Sequence, residues 1–66
     1  MRISAERLRT ELFRRGMTQI DLADASGVSR GTIANVANGK SCQDETAKLI
    51  ADALQLPIEE LEQKAR

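Results

Sequence analysis

Gly27 divides the segment Gln19–Asn38, QIDLADASGVSRGTIANVAN, into two stretches that each read as a short helix. Thr18 precedes the first and Ser29 the second; a hydroxyl at that position accepts from an otherwise unpaired N–H of the first turn. The bend needs a residue that takes positive φ, which glycine does without steric cost. Two helices that cross closely need a small side chain between them, and Ala23 supplies it. Val28, Ile33 and Val36 can hold the back of the second helix, which leaves Ser29, Arg30, Gly31, Thr32, Ala34 and Asn35 for its front.

The flanking sequence predicts an all-α fold of five helices in one domain spanning residues 1–66. The first helix is expected from about Ala5 to Arg15, with Ser4 as N-cap and Gly16 as stop. Ala5, Leu8 and Leu12 share one face at i, i+3 and i+7. In the second helix Thr18 and Asp21 resemble a capping box, although Asp is shorter than the preferred Glu. Ile20 and Ala23 are expected to face inward with help from Leu22, and the third helix to end near Asn38-Gly39. The fourth spans about Gln43 to Leu54, with Ser41 and Asp44 as a second box-like start and Leu49, Ile50, Ala53 and Leu54 as its apolar stripe. A short fifth helix begins near Pro57, where the missing N–H costs nothing, and is anchored by Ile58 and Leu61.

Composition narrows the function classes. A chain of 66 residues buries only about 60% of its unfolded surface and is marginal alone. The formal net charge is zero, which argues against strong non-specific nucleic-acid binding. Its distribution is uneven. Residues 1–15 carry Arg2, Arg7, Arg9, Arg14 and Arg15 against Glu6 and Glu11, whereas residues 41–66 are acidic despite Lys48, Lys64 and Arg66. Two readings stand: a basic side turned to phosphates, or ordinary solvated helix faces. Cys42 is the lone cysteine and histidine is absent, so an internal disulfide and a Cys/His zinc site are excluded. No cofactor or metal is expected. The start of the chain lacks the apolar run of a signal peptide. No segment approaches the ~20 apolar residues of a membrane span. A cytoplasmic location follows as the expectation. An enzyme is a poor fit, because the serines have no visible general base and the chain has no Gly-rich phosphate loop.

The glycine-hinged pair has the layout of a helix-turn-helix, which presents one helix to the DNA major groove. At "MTQIDLADASGVSRGTI", "ANGK" and "ETAKLIADALQLPIEEL", in that order and spacing, the chain resembles a Cro/CI-type (lambda-repressor-like, XRE) DNA-binding domain. The resemblance runs from the first helix through Leu61. It implies a compact five-helix lambda-repressor-like domain and binding to palindromic double-stranded operators as a homodimer, formed off DNA or only on it. The implied recognition helix covers about residues 29–38. Arg30 and Asn35 match base-reading positions; Arg pairs with guanine O6/N7 and Asn with adenine N6/N7. Thr32 could meet a thymine methyl, and Gly31 could let the backbone approach the bases. Gln19, Thr18, Ser29, Asn38 and Lys40 match phosphate-facing positions, with Thr18 mainly a cap. Helix N-termini can add phosphate contacts without net positive charge.

Departures from the family pattern carry their own expectations. Gly31 and Ala34 stand where relatives often carry contacting side chains, so specificity would rest on few residues. Some relatives pair an Arg of the first helix with a Glu just before the Asn-Gly turn; here those positions are Leu12 and Ala37, which are expected to pack near each other. Leu56, Pro57 and Ile58 divide between core and dimer interface, and Leu61 belongs to the core. The rival reading is a protein-interaction module, an antitoxin or adaptor on the same fold, to which zero net charge and the acidic last third lend weight. The chain fits both a complete regulator and the N-terminal part of a longer one.

Overall fold

The computed structural model describes residues 1–63 and places five helices there: α1 (Ala5–Arg15), α2 (Gln19–Ser26), α3 (Arg30–Ala37), α4 (Asp44–Leu54) and α5 (Ile58–Leu61). Lys64 and Arg66, included in the charge reading, lie outside the described residues, as does the end of the 1–66 domain span. Three helices start as their hydroxyl caps dictate. The Arg7 N–H donates to Ser4 Oγ at 3.2 Å, Asp21 N–H to Thr18 Oγ1 at 3.1 Å, and Thr32 N–H to Ser29 Oγ at 3.2 Å. Thr18 N–H also donates to Asp21 Oδ2 at 3.0 Å. The box therefore closes despite the short acid. Gly16 and Gly27 end α1 and α2 in the left-handed conformation, at φ 65° and 77°.

The fourth helix corrects the expected cap. Its N-cap is Gln43, with no side-chain cap bond, and Ser41 is exposed two residues upstream. The loop is held extended by the first residue: Cys42 N–H donates to Met1 O at 2.8 Å, and the Met1 amine donates back to Cys42 O at 2.8 Å. Helical winding thus starts only after Cys42.

One cluster of buried residues joins all five helices. α2 packs on α3 and on α4, α1 on α3, and α4 on α5. Ala23, Ala37, Ala47 and Ala51 are buried in it; with no side chain beyond Cβ they let the helix axes approach. Leu12 and Ala37 are both buried in this cluster, on the two helices expected to meet there.

Two expected core positions are corrected. Ile20 is 48% exposed and Leu49 40%. Ile20 lies two residues from the buried Leu22, about 200° around the helix. Leu49 stands likewise relative to Ala47 and Ala51. The buried stripe of α4 is Ala47, Ile50, Ala51 and Leu54, and Ala53 is only partly covered. Ala5 is also only half-buried.

Residues 2–4 close on residues 61–63, a contact that helical periodicity does not predict. Ser4 N–H donates to Leu61 O at 2.8 Å and Gln63 N–H to Arg2 O at 2.9 Å, a single antiparallel bridge between Ile3 and Glu62. Ile3 and Leu61 are fully buried beneath it.

Candidate nucleic-acid interface

The second helix of the hinged pair shows two unlike sides. Ile33, Val36 and Ala37 are fully buried at i, i+3 and i+4, so α3 is anchored along its back. Gly31 and Asn35, at i and i+4, are exposed on the other side, and Thr32 beside them is half-buried. Arg30 differs. It lies seven residues before Ala37, hence within about 20° of the buried stripe. As the first residue of the helix it clears the core and is exposed. It therefore stands at the leading end of α3, while Gly31, Thr32 and Asn35 form a stripe along its side. Ala34 is half-buried.

The hydroxyls at the start of α3 are engaged with each other. Ser29 Oγ donates to Thr32 Oγ1 at 2.9 Å while accepting from Thr32 N–H. The Thr32 hydroxyl keeps its own proton to give away. At the other end Asn38 caps α3, and Gly39 takes φ 91°. Lys40 N–H then donates to Asn35 O at 3.0 Å, which folds the exposed Lys40 back alongside the helix. Thr18 and Gln19 are exposed at the N-terminus of α2, the helix packed against α3.

A helix-turn-helix family model matches residues 6–61. The chain belongs to the Cro/CI-type (XRE) helix-turn-helix family. The family is one of DNA-binding regulatory domains that bind double-stranded DNA. No curated protein matches the chain. Among solved structures it is similar to native PhpD with cadmium atoms, with a TM-score of 0.85 at 23% identity. It is similar in the same way to PhpD with cadmium complexed with hydroethylphosphonate, with a TM-score of 0.84 at 23% identity. In both cases the whole of this chain is covered but only 14% of the other, so the chain spans about a seventh of PhpD's length. The likeness is one of fold.

Within this helix-turn-helix protein three of the four first-helix arginines, Arg7, Arg14 and Arg15, pair with one buried carboxylate rather than standing as a free basic face. Glu11, in the middle of α1, is 2% exposed. Arg7 Nε reaches its carboxylate at 3.0 Å and Arg14 at 3.3 Å, and Arg15 pairs with it as well. The Arg15 hydrogen bond, opposed by desolvation and aided by Arg7 and Arg14, holds the Glu11 carboxyl below its ordinary value of 4.5. Arg7 also bridges to Glu60 at 2.8 Å. In the sequence Glu11 reads only as one charge set against the arginines of residues 1–15. The readable signal was its spacing, with arginines four residues before and three and four after.

Sequence reasoning also missed a shallow depression beside the stripe. Thr32 and Asn35 form one wall of it, and Ser41, Gln43 and Thr46 the other. The α3–α4 loop brings these together, so only the fold could place them. Cys42 borders the same hollow, and burial pushes its thiol above the ordinary value of 9.0, leaving it a protonated and weak nucleophile at neutral pH. Leu56 and Ile58 pack partly against the core, and Pro57 is exposed. Among the described residues no helix is long and apolar enough to cross a membrane, and no group of acidic or Cys side chains is placed to hold a metal.

Proposed function

We propose that the protein is a sequence-specific transcriptional repressor that binds a palindromic operator as a homodimer. The single observation carrying this is the asymmetry of α3, with Ile33, Val36 and Ala37 fully buried behind, Gly31 and Asn35 exposed in front, and Arg30 exposed at its leading end. A helix held from behind can enter the major groove without disturbing the core. Arg30 reads a guanine from the leading end, and Asn35 an adenine from the side. Thr32 offers its methyl, and Gly31 lets the backbone close in. Gln19, Ser29, Asn38 and Lys40 face phosphates, with Thr18 secondary to its capping duty. Leu56, Pro57 and Ile58 are the self-association patch, small enough that pairing occurs on DNA. The DNA-binding domain takes in residues 1–66 and acts in the cytoplasm without a cofactor.

Selection of bound DNA from a random library tests this. A two-fold symmetric site is expected, with half-sites about one helical turn apart, roughly 34 Å. The commitment of Arg7, Arg14 and Arg15 to Glu11 favours one rival, a partner-binding adaptor on the same fold. No enrichment even at low salt would decide for that rival.

A further inference from the structure

α1 supplies arginines to the ends of two other helices. Arg9 Nη2 donates to Ala37 O at 2.7 Å, and Arg15 Nη2 to Leu54 O at 2.9 Å. Ala37 and Leu54 are the last residues of α3 and α4, and neither helix has a basic residue in its own last turn. A helix C-terminus carries partial negative charge on carbonyls without an intrahelical partner, and a cation there is stabilising. In α3 the cap serves other carbonyls: Asn38 N–H donates to Ala34 O and Asn35 O, Gly39 N–H to Val36 O, and Lys40 N–H to Asn35 O. The Ala37 carbonyl is thus left for Arg9. Arg9 itself forms no ion pair among the described residues.

We infer that Arg9 is a positioning residue for the DNA-reading helix, clamping the C-terminal end of α3 to α1. The inference rests on the proposed use of α3. Leu12 and Ala37 both belong to the one apolar core, and apolar packing by itself permits α3 to rock or slide. A charged hydrogen bond to a backbone carbonyl sets one position and does so whatever side chain stands at residue 37. Asn35 lies two residues before the clamp, and its carbonyl holds Lys40. Loosening Ala37 would therefore misplace the short side chain of Asn35, while Arg30 at the far end keeps its place and the long Lys40 side chain still reaches its phosphate.

Two measurements on Arg9→Ala, Arg9→Gln and Arg9→Lys test the clamp and its role separately. The first is amide hydrogen exchange without DNA. In Arg9→Ala the amides of Asn38, Gly39 and Lys40 should exchange about fivefold faster, with α4 unchanged and Arg9→Lys restoring most of the protection. Unchanged exchange overturns the clamp. The second is titration of selected and random DNA at several salt concentrations. Arg9→Ala should lose about fivefold on the selected site only, with preference falling at the base read by Asn35 and the salt slope intact. An equal loss on both DNAs with a slope lower by about one would make Arg9 a phosphate contact and overturn the inference. If the unaltered protein selects no site, the DNA reading fails and Arg9's positioning role with it, while exchange still decides the clamp. Should Arg9→Ala fold poorly, Arg9→Gln, which keeps a donor but not the charge, carries the same comparison.

Discussion

A Cβ built on Gly31 meets no protein atom within 4 Å, and Gly31 is not among the residues of positive φ. Nothing inside the protein therefore demands glycine there, and in a helix it costs about 0.8–1.0 kcal/mol against alanine. Gly31→Ala should raise thermal stability by about that amount while weakening operator binding, because the added methyl stands on the stripe beside Asn35. Melting curves and DNA titration read the two effects separately; unchanged binding would make Gly31 a tolerated weakness. Arg30 has the opposite profile, an exposed side chain at the leading end of α3 with little packing to lose. Arg30→Ala should leave the melting temperature nearly unchanged. It should relax preference at one base position by about 1–3 kcal/mol. Equal losses on operator and random DNA would remove its reading role.

Among the helices, α1 acts as a platform through the buried Glu11 and its three arginines. Because the folded carboxyl titrates below 4.5, its contribution is fully present above the unfolded value and fades as pH falls through the folded one. Urea denaturation between pH 7 and 3 should show this acid limb, and Glu11→Gln should flatten it and lower stability at pH 7. An unchanged acid limb in Glu11→Gln would show that other carboxylates set it. α4 ends on Gln55 at φ 58°, the one non-glycine residue of positive φ among those described. A β-carbon in the left-handed region costs on the order of 1 kcal/mol, and most such helix ends carry glycine. Gln55→Gly should stabilise by roughly 0.5–1 kcal/mol; a lower melting temperature would mean that the Gln55 side chain holds the α4–α5 turn.

For the molecule as a whole, the closure of residues 2–4 on residues 61–63 makes Ile3 part of the core, although it precedes the first helix. A chain of this size has about 0.05–0.15 kcal/mol of stability per residue, and truncating a buried Ile costs about 2–5 kcal/mol. Ile3→Ala should therefore lower the urea midpoint by a large fraction with its slope unchanged, whereas Ile20→Ala, at an exposed site, should shift it little. Equal effects would mean that Ile3 contributes no more than a surface residue.

Local chemistry was readable before any fold was known. Ser4, Thr18 and Ser29 cap the helices they precede, Gly16 and Gly27 end theirs, and the 3.6-residue period assigns Leu8, Leu12, Ile33 and Val36 inward, because each of these effects acts within one or two turns. Cap and face were misjudged where distant chain intervened. Met1 holds the α3–α4 loop extended and delays α4 past Ser41. The neighbours of α2 and α4 select Leu22 over Ile20 and Ala51 over Leu49. The environment of Glu11, the Arg9 bond to Ala37 and the hollow between Asn35 and Thr46 likewise depend on which helices meet. Period and capping are properties of consecutive residues, whereas burial of a charge or the reach of an arginine depends on elements separated along the chain and joined only by packing.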